Sequence, residues 1–296
     1  MIYFFIPAFD EQETVGVLLY RLREVMSKVK LDYTVLLTLD GCRDNTSEVI
    51  SQYFQLMPIH VIDHPRTLGY GKSLAEVVKR VSTESRNPKR DFFLVLDADF
   101  TQDPGKFNGL FEQIERNLDL CYGNRFAGTG NGVSWQKRLA NFLVHRVLRF
   151  RGIEHKKAGS DLLTTLRGCR VRLLRRNLKQ LKMLDRYGPE VPPAGVAMLF
   201  LLMLYGDARK YYEIKFSDKL IRRRGSRFRL FSLLRFTLFG EFPEPAPPAP
   251  EQARQPSDRE KTRRRRPSRR RKSYSNKRRP DSSKVQERKG KPGQSP

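Results

Sequence analysis

The chain has 296 residues, and a hydrophobic share of 39% is enough to fill one sizeable core. Its formal net charge is +26, half of it between Glu251 and Pro296, which favours partners that carry phosphates: a nucleotide, a lipid head group or a nucleic acid. Its three cysteines lack the spacing of a zinc site or a disulfide framework, so the sequence indicates neither and favours a reducing, cytoplasmic setting.

The first half of the chain alternates short apolar runs with stretches of helical period, the pattern of a mostly parallel sheet with helices on both faces. We predict strands at Ile2–Pro7, Tyr33–Leu39, Ile59–Ile62, Asp91–Leu96 and Asp119–Tyr122. We predict helices at Glu13–Val29, Asn45–Phe54, Gly71–Ser82 and Pro104–Asn117. Because ligands bind beyond the carboxyl ends of the strands in such sheets, four loops should converge on one site. These loops begin at Phe9, Asp40, Arg66 and Asp97.

The second half is less regular. We predict helices at Trp135–Phe150, with Trp135 in the core, and at Pro193–Tyr205, then a strand at Lys210–Phe216. The segment Phe228–Phe239 predicts an amphipathic, basic helix of the interfacial type, since apolar residues repeat at helical spacing beside arginines. The longest uncharged stretch is shorter than the ~20 apolar residues that a membrane span needs, so we expect no transmembrane segment.

The composition changes after Glu241, where five prolines fall within Pro243–Pro250 and runs of arginine and lysine follow. Such a segment cannot bury a core. We therefore predict a folded domain at 1–242 and, at 243–296, a Pro-rich linker with a disordered, Lys/Arg-rich tail. Because Tyr274 is its one aromatic residue, the tail suits an anionic membrane surface at least as well as a nucleic acid.

Two carboxylates, Asp97 and Asp99, directly follow the apolar run Phe92–Leu96. At the end of a strand, a pair at this spacing can hold a hard cation, Mg²⁺ or Mn²⁺, directly or through water. A cation held there can bridge the two phosphates of a nucleotide sugar and take up charge on the leaving group. Acidic pairs after strands are also common surface turns, so the pair alone leaves both interpretations open.

Several short segments, taken in order, resemble motifs of the GT2 glycosyltransferases, in particular the dolichyl- or polyprenyl-phosphate mannose and glucose synthases. The segments are Ile6–Glu13, Leu39–Thr46, His64–Lys72, Asp97–Asp99, Gly123–Phe126, Asp161–Arg167 and Arg222–Arg227. Any one of them could arise by chance, and their order over about Ile2–Arg227 makes the resemblance specific. It implies a GT-A fold and a nucleotide-sugar donor.

The resemblance also implies roles for individual residues. Asp40 would read the base, Asp44 and Thr46 would fix the turn, and the glycines of His64–Lys72 would let backbone pass close to the nucleotide. The implied nucleotide-binding residues are Pro7, Phe9, Glu11, Asp40, Gly69, Lys72 and Asp97, and the implied catalytic residues are Asp99, Arg125, Asp161 and Arg167. The chain departs from the motifs at Leu39, Cys42 and Thr164–Thr165. It also departs at Thr101, where the motif has a glutamine that often assists the metal and where this chain has Gln102 one place along.

Arginines form a second group of candidates, because a guanidinium grips phosphate oxygens by two bonds. The group comprises Arg125, Arg138, Arg167 and, for an acceptor phosphate, Arg222, Arg223 and Arg224. A solvated basic face is the other interpretation. A lipid-phosphate acceptor is already an anion and needs no general base, whereas a hydroxyl acceptor would need one. Asp161 is then the candidate base, unless it pairs with an arginine.

We therefore expect a metal-dependent, inverting glycosyltransferase with a GDP-mannose or UDP-glucose type donor and a polyprenyl-phosphate acceptor. We expect it on the cytoplasmic face of the membrane, held there peripherally by the amphipathic helix and tail, or with a membrane protein partner. The alternatives are a hydroxyl acceptor, or binding of nucleic acid or another anionic surface through the tail. A nucleotidyltransferase is disfavoured, because it would open with a glycine-rich loop after the first strand, where this chain has Phe9–Glu13.

Overall fold

The computed structural model describes residues 1–127, 133–153, 159–216 and 230–240. Within these ranges the strands are β1 Ile2–Ala8, β2 Tyr33–Asp40, β3 Ile59–His64, β4 Phe92–Val95, β5 Leu120–Asn124, β6 Arg167–Arg170 and β7 Tyr211–Lys215. The helices are α1 Val15–Met26, α2 Thr46–Ser51, α3 Tyr70–Glu84, α4 Asn108–Glu115, α5 Trp135–Phe150, α6 Val171–Arg176, α7 Leu178–Leu181, α8 Pro193–Tyr205 and α9 Leu230–Phe239. Short 3-10 helices lie at Pro104–Lys106 and Lys182–Arg186.

The described strands form one sheet in the order β3-β2-β1-β4-β6-β5-β7. The pairs β1–β2, β2–β3, β1–β4 and β5–β7 are parallel, and β6 runs antiparallel to both of its neighbours. The predicted mostly parallel sheet is therefore confirmed. Because β1, β2, β3 and β4 share a direction, their carboxyl ends lie along one edge, where the predicted site loops follow.

Helices cover both faces of the sheet, and successive side chains of β1 enter different cores. Phe4 and Ile6 pack in the layer that includes α1 and α4. Tyr3 and Phe5 pack in the layer that includes α3, α5, α6 and α8. This follows from the two-residue period of a strand, and the burial of Phe4 and Phe5 contributes ~1.5–3 kcal/mol each.

The helix α8 is apolar on all sides and almost completely buried, which accounts for the longest uncharged stretch of the sequence. Pro193 occupies its first turn, where the missing N–H leaves no hydrogen bond unmade. None of the helices in the described ranges combines the length and the apolar character needed to cross a bilayer.

The six predicted strands are all present, with ends within two residues of those predicted. The helices at Trp135–Phe150 and Pro193–Tyr205 have the predicted bounds. Of the predicted helix Phe228–Phe239, the part from Leu230 onward is confirmed as α9, and its first two residues lie outside the described ranges. The prediction that Trp135 lies in the core is wrong, since 70% of this residue is exposed. The predicted domain boundary after residue 242 and the predicted disorder of the tail lie outside the described residues and stay predictions.

One strand, β6, was not predicted. Its sequence, Arg-Gly-Cys-Arg, lacks the alternation of apolar and polar residues that marks a strand, yet all four residues are buried. The Arg170 guanidinium donates hydrogen bonds to the carbonyl oxygens of Leu118, Arg90 and Ile114, so its charge is satisfied inside the protein. Tertiary hydrogen bonds therefore stabilise this strand, and its own pattern does not.

Candidate active site

Two strained turns lie at the edge of the sheet where the carboxyl ends of β1–β4 meet. Asp10, two residues beyond β1, has φ 52°, and Phe100, in the loop after β4, has φ 55°. A residue other than glycine in this left-handed region costs ~1–3 kcal/mol, and such strain is often found at functional sites. The backbone N–H of Arg43 donates to Asp10 Oδ1 at 2.8 Å, which ties the loop after β1 to the loop after β2.

Asp97 lies just beyond β4, near the middle of the sheet, with its carboxylate held on two sides. The register of β4 with β6 pairs Val95 with Arg167, and two residues further on it brings Thr165 opposite Asp97. The Thr165 hydroxyl donates to Asp97 Oδ2. The buried Gln102 amide donates to the same oxygen at 2.7 Å and accepts from the Asp97 backbone N–H at 3.2 Å. The sheet and two side chains therefore set the direction of this carboxylate.

Asp99 is oriented by its own loop. Its Oδ1 accepts from the backbone N–H of Thr101 at 3.0 Å and from the Thr101 hydroxyl at 2.8 Å. Thr101 stands where the motif has glutamine. In this chain Thr101 orients Asp99, and Gln102, one place along, orients Asp97. Both aspartates are half-buried, and carboxylate oxygens are the ligands that Mg²⁺ and Mn²⁺ prefer. The residues therefore fit the predicted cation.

Gln102 and Thr165 are site residues to which the sequence assigned no role. We expect Gln102→Leu to lower the affinity for Mn²⁺ in the presence of UDP by ~10- to 100-fold, because the Asp97 carboxylate loses a fixing hydrogen bond. Calorimetry of Mn²⁺ binding measures this, and the melting temperature reports any separate loss of stability. Gln113→Leu on α4 is the matched control. Equal Mn²⁺ affinity in both variants would contradict the positioning role of Gln102.

A second acidic group lies closer to the end of β1. Asp10, Cys42 and Asp44 bring possible ligand atoms within 4.8 Å of one another. Asp44 accepts from the backbone N–H groups of Thr46 at 3.0 Å and Gln12 at 3.1 Å, and burial raises the pKa of the Cys42 thiol. The raised pKa keeps the Cys42 thiol protonated, which disfavours a thiolate ligand. The hydrogen bonds of Asp44 hold the loops after β1 and β2 together. They also confirm that Asp44 and Thr46 fix this turn.

Asp40, predicted to read the base, joins β2 to the loop before α3. Its two oxygens accept from the backbone N–H groups of Leu68 at 2.7 Å and Gly69 at 2.9 Å. His64 Nδ1 lies 3.2 Å from Asp40 Oδ1, and His64 Nε2 lies 2.9 Å from Glu76 Oε2. The observed role of Asp40 is therefore to hold this loop, and base recognition by Asp40 stays a prediction.

The glycines of this loop contact the chain itself. Gly69 has φ 98°, and a Cβ there would lie 2.5 Å from the carbonyl carbon of Gly188 and the nitrogen of Pro189. A Cβ on Gly71 would lie 2.5 Å from the Tyr187 carbonyl oxygen. The close approach that the structure shows is thus to the segment 184–189, whereas the sequence predicted an approach to the nucleotide. Lys72 follows in the first turn of α3, half-exposed.

The other residues predicted to frame the nucleotide follow β1. Pro7 is in the strand, and Phe9 comes directly after it, both half-buried. Glu11 is buried, and its Oε2 accepts from the Thr14 hydroxyl at 2.8 Å, just before α1. The backbone N–H of Glu11 donates to Thr46 Oγ1 at 2.8 Å. These residues lie at the predicted edge of the sheet, and their contacts with a nucleotide stay predictions.

Arg125 and Asp161 form a buried ion pair. Arg125 Nε lies 2.8 Å from Asp161 Oδ2 and Arg125 Nη2 lies 2.9 Å from Asp161 Oδ1, and the Arg125 backbone N–H also donates to Oδ2. Burial alone would raise the pKa of Asp161, but the hydrogen bonds and charge of Arg125 outweigh it and leave the pKa below its ordinary value. Asp161 is fully buried, so it suits a structural carboxylate better than a general base.

Arg167 corrects a sequence prediction. Its side chain is fully buried, and its guanidinium donates to the carbonyl oxygens of Asp161 at 3.1 Å and Leu162 at 3.0 Å. Burial lowers the pKa of Arg167 to about 10, with Asp161 opposing the shift, so the group stays charged at neutral pH. A two-bond grip on a phosphate is wrong for this geometry, because the guanidinium points into the protein and shapes the 161–166 loop.

Tyr70 is a further buried polar group beside the site. Its hydroxyl and Arg167 Nε have no hydrogen-bond partner within the described ranges. Burial raises the pKa of Tyr70, and the neighbouring Asp97 raises it further while Arg167 opposes the rise. Tyr70 therefore lies close enough to both Asp97 and Arg167 for their charges to act on its hydroxyl. Its position at the start of α3, inside the His64–Lys72 motif, was its only signal in the sequence.

A basic groove runs along α5, beside Phe126. The groove has a volume of ≈ 480 Å³ and is lined by Phe126, Arg138, Phe142, Arg146 and Arg149. The Arg138 guanidinium lies 5.5 Å from the centre of the Phe126 ring, and Phe126 directly follows Arg125. The sequence singled out Arg138 but not Arg146 or Arg149. The predicted acceptor-phosphate residues Arg222, Arg223 and Arg224 lie outside the described residues.

Known proteins resemble this chain in sequence and in fold. The family model for glycosyl transferase family 2 matches residues 3–178. A dolichol-phosphate mannosyltransferase from Pyrococcus furiosus is 24% identical over 227 residues, which are 74% of this chain and 56% of that protein. The chain spans about half the length of the curated relatives that it matches.

Two solved structures of similar fold come from bacteria. Mannosyl-3-phosphoglycerate synthase from Rubrobacter xylanophilus has a TM-score of 0.54 at 13% identity, over 80% of this chain and 71% of that chain. Glucosyl-3-phosphoglycerate synthase from Mycobacterium tuberculosis, in complex with Mn²⁺, UDP and glucosyl-3-phosphoglycerate, has a TM-score of 0.51 at 16% identity, over 80% and 77%. The predicted GT-A-like α/β fold is therefore confirmed.

Proposed function

The chain belongs to glycosyl transferase family 2, and from this premise we propose that it moves a sugar, with inversion, from a nucleoside diphosphate sugar to polyprenyl phosphate. The donor is of the GDP-mannose or UDP-glucose type. The observation that carries the proposal is the Asp97–Asp99 pair, half-buried at the end of the central strand β4 and oriented by Gln102, Thr165 and Thr101.

The aspartate pair suits a donor diphosphate. Mg²⁺ or Mn²⁺ held by Asp97 and Asp99 would neutralise charge that builds on the departing diphosphate. Asp97 and Asp99 are directed before the substrate arrives, so little reorganisation is needed during transfer. The loops after β1 and β2, latched by the contacts of Asp44, are the predicted nucleotide-binding wall.

A phosphate acceptor is supported by the basic groove beside Phe126. Arg138, Arg146 and Arg149 line this groove. A phosphate is an anion at neutral pH, so its oxygen attacks the anomeric carbon without a general base. The relative from Pyrococcus furiosus, named a dolichol-phosphate mannosyltransferase, supports a lipid-linked acceptor.

The hydroxyl-acceptor alternative has weaker support. It requires a general base, and the predicted base Asp161 is buried with both oxygens hydrogen-bonded to Arg125. Removing a proton from an acceptor would require Asp161 to leave this pair. The geometry therefore favours an acceptor that is already ionised.

Product formation with two acceptor classes tests the proposal. We expect transfer from GDP-mannose or UDP-glucose to a short-chain polyprenyl phosphate in Mn²⁺, with inverted anomeric configuration by NMR, and little transfer to simple sugars. The matched control is the same chain with the dephosphorylated polyprenol. Turnover of simple sugars alone would show instead that the acceptor is a hydroxyl. Loss of that turnover in Asp161→Asn, under conditions where circular dichroism shows the variant to be folded, would identify Asp161 as its base.

A further inference from the structure

The outward face of α5 is aromatic and basic. Its inward face buries Ala140, Val144 and Leu148, at the spacing of one side of a helix. The opposite side is exposed and carries Trp135, Leu139, Phe142, Arg146, Arg149 and Phe150. Three of these six residues are aromatic, whereas the outer side of a surface helix ordinarily carries polar residues.

The helix α9 repeats this arrangement beside α5. It buries Leu233 and Phe236, while the exposed side carries Phe231, Arg235, Leu238 and Phe239. Arg151, at the end of α5, donates through Nη1 to the carbonyl oxygens of Thr237 at 3.0 Å and Gly240 at 2.9 Å.

The exposed sides of the two helices also meet. Phe150 of α5 and Leu238 of α9 border one shallow groove, together with Arg146 and Arg149. We call the joined exposed sides the aromatic–basic face, made of Trp135, Leu139, Phe142, Arg146, Arg149 and Phe150 of α5 and Phe231, Arg235, Leu238 and Phe239 of α9.

The aromatic–basic face combines strong exposure with a single sign of charge. Phe150 is 89% exposed, Phe231 86% and Trp135 70%. Large exposed apolar patches mark interaction sites, because leaving them in water is unfavourable. Neither α5 nor α9 contains an Asp or Glu residue, so every charged group on this face is basic. The face is therefore complementary to a partner that is apolar beneath an anionic surface.

We propose that the aromatic–basic face docks on an anionic lipid bilayer. Its aromatic side chains would enter the boundary between head groups and acyl chains, where Trp and Phe of interfacial helices are found. Arg146, Arg149 and Arg235 would lie against the lipid phosphates, each contributing attraction that salt weakens. This inference rests on the proposed function in one respect: docking would bring the basic groove beside Phe126 to the level of a lipid-linked phosphate.

Trp135 tests the proposal directly, because it is the only tryptophan of the chain. The full chain is mixed with vesicles of phosphatidylcholine and phosphatidylglycerol. We expect the Trp135 emission to move to shorter wavelength and to be quenched by brominated acyl chains. Co-sedimentation with the vesicles without either change would show that the basic tail alone binds them, and would overturn the proposal.

A triple variant tests the same face while leaving Trp135 as the probe. Phe150→Ser, Phe231→Ser and Phe239→Ser together should lower vesicle partitioning by ~10-fold or more at matched salt, because apolar surface is no longer buried. The control changes three exposed apolar residues elsewhere: Tyr20→Ser, Phe54→Ser and Leu56→Ser. Equal partitioning of the two triple variants would overturn the proposal.

Two further measurements separate the alternatives. A blue shift of Trp135 that grows with protein concentration without vesicles, and parallels dimer formation in sedimentation velocity, would assign the face to a second copy and overturn the proposal. Transfer to polyprenyl phosphate in detergent tests the proposed function separately, because no bilayer is present. Docking without transfer supports the face and contradicts the function, and transfer without docking does the reverse.

Discussion

Asp99→Ala should lower the turnover of a nucleotide sugar by about 100-fold or more, with the fold retained. Asp99 is half-buried at the end of a strand, so its removal leaves no cavity in the core. The variant loses one of the two carboxylates that fit a divalent cation, and the departing diphosphate then develops charge without that support. Initial rates at increasing Mn²⁺ concentration measure the effect.

The matched control for this variant is Asp63→Ala, an exposed aspartate on β3. The Asp63→Ala variant should keep wild-type turnover and wild-type dependence on Mn²⁺. If Asp99→Ala turns over donor as fast as Asp63→Ala at every Mn²⁺ concentration, the metal assignment of Asp97 and Asp99 fails.

Asp161→Asn should lower the free energy of unfolding by about 3–5 kcal/mol, because breaking a buried ion pair leaves Arg125 without its counter-charge. Both partners are shielded, Asp161 completely and Arg125 to 11% side-chain exposure. The buried charge of Arg167 also loses a nearby carboxylate. Urea unfolding measures the change. Glu84→Gln, which breaks the exposed pair with Arg80, should change stability by less than about 0.5 kcal/mol.

The ion pair also predicts a dependence on pH. The pKa of Asp161 is below its ordinary value of 3.8, so its stabilisation is fully present above that value and is lost as the pH falls through the lower, folded-state pKa. The wild type should therefore lose stability in acid more steeply than Asp161→Asn. Parallel loss in both proteins below pH 4 would show that Asp161 stays ionised through other contacts or was never stabilising.

Much of the fold could be predicted because the apolar runs of β1, β2 and β4 are short, buried and separated by helical periods. Asp97 and Asp99 could be predicted as metal-site candidates for the same reason, because they directly follow the apolar run that marks β4. The role of Thr165 could not be predicted. Thr165 is 68 residues from Asp97 in sequence, and only the antiparallel register of β4 and β6 brings it opposite Asp97. Gln102 is five residues from Asp97, and the sequence shows its displacement from the motif position but not its hydrogen bond to Asp97.

The roles of the arginines could not be predicted from their sequence positions. An arginine in a motif-like segment predicts a ligand for phosphate, yet Arg167 points inward because three backbone carbonyl oxygens accept its hydrogen bonds. Arg146 and Arg149 lie in an ordinary helical period and gain meaning only from their position along one groove. The sequence predicts Trp135 in the core, whereas smaller residues, Ala140, Val144 and Leu148, fill the inward side of α5.

We propose that this chain binds a nucleotide sugar through a divalent cation at Asp97 and Asp99. Titration calorimetry of the full chain with GDP-mannose and with UDP-glucose, in Mn²⁺ and in EDTA, measures this binding. We predict binding of at least one donor in Mn²⁺, a large loss of affinity in EDTA, and the same loss in Asp99→Ala with Mn²⁺ present. Equal affinity in Mn²⁺ and EDTA, or no binding of either donor, would show that Asp97 and Asp99 do not bind a donor through a cation.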